Sequence, residues 1–138
     1  KYYNIGIAVD TEQGLVVPVI KRVNQKDLKS IAKEILKLAT EARERKINLM
    51  DLKGGSFTIT NLGSIGVGFF TPILNYPEVA VLGVGRIYEK PIVKDGEIVI
   101  RKILPLSLTY DHRAVDGAQA ARFMKDFIEL IKDPNNIK

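Results

Sequence analysis

Leu106-Ser107-Leu108-Thr109-Tyr110-Asp111-His112-Arg113-Ala114-Val115-Asp116-Gly117 decides the fold. The first five residues read as a strand. From Gly117 onward the spacing changes to that of a helix, with Ala120, Met124, Phe127, Ile128 and Ile131 on one face and a stop near Asp133-Pro134. Between them lies a short loop that holds the only histidine of the chain. A strand-to-helix loop is where a rigid scaffold can present a side chain to a cleft.

Upstream, residues 4–9 and 15–20 read as strands joined by a turn at Asp10-Thr11-Glu12-Gln13-Gly14. Pro18 has no N–H for a ladder, which places its strand at an edge or at a bulge. A helix is expected over Asp27 to Lys46, with Leu28, Ile31, Ala32, Ile35, Leu36, Ala39 and Ala42 as its apolar face. Asp27 or Asn24 can cap it, and Asn48 to Leu52 can add one turn before Gly54-Gly55. Strands follow over Ser56 to Leu62 and over the apolar run Val79 to Val84, the latter expected to be central. Pro91 to Lys94 and Glu97 to Leu104 flank Asp95-Gly96, a hairpin signal. Two helices and about six strands make an α/β (α+β) fold, a two-layer sandwich with helices covering a mixed or mostly antiparallel sheet.

The bulk numbers agree with one folded domain over residues 1–138. Hydrophobic residues are 46% and charged residues 27%, the mix of a soluble globular protein. No apolar run approaches the roughly 18 residues of a membrane helix, and no secretory signal is visible. Lys1 leads straight into a strand, as in a chain cut from a longer one. The absence of Cys excludes a disulfide scaffold, a thiol nucleophile and thiolate metal sites. With a single His, no metal site is expected. The lack of Cys fits a cytoplasmic protein, and the richness in Lys, Ile and Glu points to a thermophile. The net charge of +5 fits either a solvated basic surface or attraction of an anionic substrate. The basic residues alternate with acids, as in Glu41-Ala42-Arg43-Glu44-Arg45-Lys46, without an aromatic platform, which argues against nucleic acid.

Three residues stand out for chemistry. His112 is either a structural imidazole or a general base, since an ordinary pKa of about 6.5 suits proton transfer near neutrality. Its partner could be Ser, Thr, Lys or a bound thiol; any thiol must come from a substrate. Thr60 either fills a strand face or donates to an oxyanion, a role typically worth about 3 kcal/mol. Asp116 lies four residues after His112, at the start of the second helix. Gly63-Ser64-Ile65-Gly66-Val67-Gly68 lacks the ending of a P-loop, and Gly83-Val84-Gly85 lacks the third Gly of a dinucleotide fingerprint. Both read as close packing and backbone freedom.

The loop Asp111-His112-Arg113-Ala114-Val115-Asp116-Gly117 resembles the D-H-R-x-x-D-G signature of the acyltransferase component of 2-oxoacid dehydrogenase complexes. Chloramphenicol acetyltransferases share its His-x-x-x-Asp-Gly core. Five further segments match in order, beginning at Asn4, Gly14, Gly55, Phe70 and Val81. The resemblance implies a chloramphenicol acetyltransferase-like fold and acyl transfer between a dihydrolipoyl thiol and coenzyme A. It implies His112 as the base, Thr60 as the oxyanion donor in place of a more usual Ser, and Asp116 as the residue that holds the loop and orients the His, through an Arg. In relatives, coenzyme A and the lipoyl arm enter from opposite ends of a channel, and the resemblance implies that Phe70, Leu82 and Leu104 fall on segments that line its lipoyl side. A homotrimer with each site between two subunits is also implied, as is assembly into a cage through the C-terminus, where Ile137 could anchor the contact. Lipoyl domains and the other components of the complex are the expected partners. The resemblance implies that residues 1–138 correspond to the C-terminal portion of the family's catalytic domain, with an N-terminal segment of that domain and the lipoyl and subunit-binding domains expected outside them. The alternatives are a non-catalytic trimer- or cage-forming core piece, and a stand-alone chloramphenicol-type acetyltransferase. Arg113 and Thr60-Asn61-Leu62-Gly63 argue against the latter.

Overall fold

The computed structural model describes residues 2–133 and 135. In chain order the elements are β1 (Ile5–Ile7), β2 (Val9–Thr11), β3 (Gly14–Val16), β4 (Val19–Ile20), α1 (Leu28–Arg43), β5 (Phe57–Asn61), β6 (Ala80–Val84), β7 (Tyr88–Lys94), β8 (Glu97–Ile103), β9 (Leu106–Tyr110) and α2 (Gly117–Lys132). Five strands form one mixed sheet in the order β4-β1-β5-β6-β9. β1, β5 and β6 run parallel, and the two outer strands run antiparallel to their neighbours.

Each of the first two expected strands divides in two. Pro18 explains the second division. It donates nothing to a ladder, but its carbonyl accepts from Ile7 N at 2.9 Å, so the chain passes Pro18 and resumes as β4 at the sheet edge. β2 and β3 pair as a separate hairpin, closed by Gly14 at φ 113. A second hairpin joins β7 to β8 through Asp95 and Gly96, whose φ values of 53 and 84 are those of a type I′ turn. β7 starts at Tyr88, three residues earlier than expected.

Asp27 caps α1, its side chain accepting from Ser30 N at 2.7 Å. The helix ends at Arg43, short of Lys46, because Arg45 takes a left-handed φ of 61. Its inward face also differs from the expected one. Ile31, Ile35, Leu38 and Ala42 point inward, whereas Leu28 and Leu36 are 75% and 70% exposed. Leu38 lies seven residues beyond Ile31, two full turns at 3.6 residues per turn, and was absent from the expected face. Asn48 caps the single turn Leu49–Leu52.

α2 covers one face of the sheet. Alternation along the strands places Phe57, Ala80, Leu108 and Tyr110 beneath Ala120 and Phe123. The Phe57 and Phe123 rings lie 6.0 Å apart in a tilted pair. Ile20, Val81, Leu82 and Pro18 are the most deeply buried large side chains. Among the described residues, no helix is long and apolar enough to cross a membrane. Ile137 lies outside the described residues.

Candidate active site

His112 stands just past the end of β9, and three sets of bonds fix its neighbours. The Asp111 N–H donates to Val79 O at 2.9 Å, which ties the loop to the start of β6. The Asp111 carbonyl accepts from the N–H groups of Ala114 and Val115, each at 3.0 Å. The Asp111 carboxylate accepts from Arg113 N at 2.9 Å and from its guanidinium at 2.6 to 3.1 Å. The Arg113 guanidinium holds the Asp111 carboxyl down to about 2, and the same bond raises Arg113 above its ordinary value. The imidazole itself is exposed in the single chain, its ring 5.8 Å from that of Tyr110.

Asp116 caps α2, with its side chain accepting from Gln119 N at 2.7 Å. The resemblance had implied that Asp116 acts through an Arg. The side chain of Arg113 is paired with Asp111. Sequence reading passed over Asp111. The signal for it was the Asp-x-Arg spacing, which lets one carboxylate meet both a backbone N–H and a guanidinium.

Thr60 lies on the sheet face opposite α2. It shares that face with Thr58, Val81 and Gly83. A cleft of about 380 Å³ opens there, lined by Thr58, Thr60, Phe70, Ile73, Leu74 and Asn75 among others. Thr58 Oγ1 donates to the buried Glu78 carboxylate at 2.6 Å, and Asn75 Nδ2 donates to its other oxygen at 3.2 Å. Gly83 leaves room for the cleft wall, since a Cβ there would meet Ser107 Oγ at 2.5 Å and Phe70 Cζ at 3.0 Å. Sequence reading gave Glu78 no role; it stood only as the last residue of the matching segment that begins at Phe70.

The structure brings Phe70 to Thr60 but not the other two expected lining residues. Leu82 neighbours Gly83 in β6, so its side chain points to the opposite face, where it is 1% exposed. Leu104 joins β8 to β9 and borders other hollows, one with Asn61 and Arg86, another with Met124 and Ile128. Thr60 and His112 are likewise apart. Thr60 is level with Gly83 and Ser107, while Tyr110, the last residue of β9, is level with Ala80. That offset is about 10 Å along the strands, and the two-strand step from β5 to β9 adds about 10 Å across them. Among the described residues, no group of three or more His, Cys, Asp or Glu could hold a metal.

The model of the 2-oxoacid dehydrogenases acyltransferase (catalytic domain) family matches residues 1–138. The chain belongs to that family. Within it, the chain is 54% identical over 136 residues to the dihydrolipoyllysine-residue acetyltransferase component of the pyruvate dehydrogenase complex of Bacillus subtilis (strain 168), covering 99% of this chain and 31% of that protein. A crystallographic and enzymatic investigation of Azotobacter vinelandii dihydrolipoamide acetyltransferase concerns a serine, a histidine and an asparagine in its catalytic mechanism. That structure superposes with a TM-score of 0.92 at 50% identity, over 96% of this chain and 55% of its own. A truncated catalytic core of the 2-oxoacid dehydrogenase multienzyme complex from Thermoplasma acidophilum gives a TM-score of 0.85 at 50% identity, over 98% and 59%. The chain thus spans about a third of the curated relative and somewhat over half of the solved chains.

Proposed function

We propose that this chain carries two halves of an acyl-transfer site that moves an acyl group between a dihydrolipoyl thiol and coenzyme A. One observation carries the reading. In the Azotobacter vinelandii enzyme the named serine precedes the named histidine by fifty-two residues, and the asparagine follows it by four. Here Thr60 precedes His112 by fifty-two residues and Asp116 follows by four, on a chain of the same fold. Thr keeps the hydroxyl of the serine. Asp116 keeps one acceptor oxygen of the asparagine and uses it to cap α2.

The chemistry follows from these groups. His112 takes the proton of the coenzyme A thiol, whose ordinary pKa near 8.5 leaves little thiolate at neutral pH. The sulfur attacks the thioester carbonyl carbon. The Thr60 hydroxyl donates to the oxygen that becomes negative. The tetrahedral species collapses, the bond to the lipoyl sulfur breaks, and that sulfur recovers the proton from His112. The apolar Phe70, Ile73 and Leu74 beside polar Thr58 and Asn75 suit an alkyl arm ending in a thioester.

The distance between Thr60 and His112 within one chain supports a homotrimer in which each site joins Thr60 of one subunit to His112 of the next. Assembly of trimers into a cage, with lipoyl domains and the other complex components as partners, extends the same reading. One solved relative is the cubic core of the pyruvate dehydrogenase multienzyme complex. Composition supports a thermophilic and cytoplasmic source.

The test is complementation in the assembled enzyme. Thr60→Ala and His112→Ala should each lose on the order of a hundredfold or more in acyl transfer to coenzyme A. Co-expressed, the two variants should regain about a quarter of the wild-type rate, the fraction of interfaces that pair two intact halves. Wild-type turnover by His112→Ala refutes the base. Mixed assemblies without regained activity refute the shared site.

A further inference from the structure

Position 112 sits inside a closed loop of bonds. The residue before it is tied to β6 through Val79 O, and the residue after it is tied back to Asp111 by one backbone and three guanidinium contacts. The backbone at His112 cannot rotate without breaking several of these at once. Arg113 also brings a positive charge at the next position in the chain, and the Asp111 carboxylate lies directly against it at 2.6 Å.

We infer that Asp111 is a positioning residue for His112: its fork onto Arg113 fixes the turn from which the imidazole projects and offsets the guanidinium charge beside it. This rests on the assignment of His112 as the base. The titratable ring against the imidazole is Tyr110 from β9, and the charged groups nearest to it along the chain are Asp111 and Arg113 in the loop and Asp116 at the start of α2. Asp116 is committed to Gln119 N. The Asp111–Arg113 pair therefore sets the balance of charge closest along the chain to His112. The depressed carboxyl of Asp111 keeps that pair intact at every pH where an imidazole changes charge.

Two effects should separate in the assembled enzyme, assayed with acyl-dihydrolipoamide and coenzyme A. Asp111→Asn loses the fork, so the base is less well aimed and kcat should fall about tenfold, while KM for both substrates stays within about twofold. It also leaves Arg113 unopposed, which should move the acid limb of the pH–rate profile down by about half a pH unit, the size expected of one unpaired charge near a solvated group. Arg113→Gln leaves Asp111 unopposed and should move the limb up by a similar amount. The Arg113 side chain is 90% exposed, so its replacement does not threaten folding and keeps the test decisive should Asp111→Asn fail to assemble. A merely structural role would leave the acid limb in place. Limbs that shift in the same direction, or a loss confined to KM, would overturn the inference. His112→Ala is run beside them: if it retains wild-type turnover, the base assignment has failed. If it is inactive while both neighbours match the wild type in kcat and pH profile, only the positioning role of Asp111 has failed.

Discussion

The Thr58 hydroxyl donates to the Glu78 carboxylate at 2.6 Å, and both residues are buried, at 3% and 8% exposure. The bond ties the middle strand of the sheet to the loop that closes the Thr60 cleft. Two glycines make room for it. A Cβ at Gly6 would lie 2.6 Å from Thr58 Oγ1, and a Cβ at Gly55 would overlap Glu78 Oε1. Thr58→Val keeps the shape and removes the donor, leaving a buried carboxylate oxygen unpaired. The expected cost is about 1–3 kcal/mol, read from the denaturant midpoint. A midpoint equal to that of the wild type would mean that water replaces the hydroxyl.

Gly85 should tolerate nothing larger. A Cβ there would overlap the carbonyl oxygen of Gly68, and backbone cannot swing aside as the end of a side chain can. Gly85→Ala is therefore expected to cost at least about 3 kcal/mol or to prevent folding. Gly66 has open space around it and a φ of 91, so Gly66→Ala should cost only about 1 kcal/mol, from backbone conformation alone. Thermal unfolding of the two variants side by side checks the contrast.

Asp116 carries a load of its own apart from any catalytic part. Its carboxylate holds the Gln119 N–H at the first turn of α2. Asp116→Ala should lower stability by about 1 kcal/mol, while Asp116→Asn, an equally good cap, should leave it unchanged. Chemical denaturation measures both. If Asp116→Asn also keeps wild-type turnover, capping accounts for the residue; lost turnover at unchanged stability would give it a part in the chemistry.

The Asp111–Arg113 pair should respond to acid in a stated window. A carboxyl whose folded value is depressed contributes above its unfolded value, near 3.9, and loses that contribution as pH falls through the folded value. For Asp111 the folded value is about 2. The pair should thus be intact at pH 5, its contribution to stability should fall away as pH drops from about 4 to about 2, and the pair itself should be half open only near pH 2. A side-chain carboxyl NMR titration of Asp111 should give a midpoint near 2. Arg113→Gln should carry that midpoint back toward 3.8, the ordinary value.

Much of this was readable in the residues. The Asp27 cap, the Asp95-Gly96 turn and the strand-loop-helix around His112 are local, and local chemistry writes itself into spacing. Five ordered motif segments led to the family that the comparison with known proteins then showed. What could not be read depends on contacts far apart in sequence. Leu38 turns inward, and Leu28 does not, because of where β2 and β4 lie. The orientation of Leu82 follows from sheet register, and one residue of register reverses a side chain. Glu78 is given its role by Thr58, twenty residues away in the sequence.

The position of the two site strands has one more consequence. β5, which bears Thr60, is hydrogen-bonded on both sides, to β1 and β6; β9, which leads to His112, is bonded on one side only among the described residues. Local opening reaches singly bonded strands first, so amides of β9 should exchange with deuterium sooner than those of β5. On warming, the His112 half would then loosen while the Thr60 half is still native, and loss of turnover would precede global unfolding.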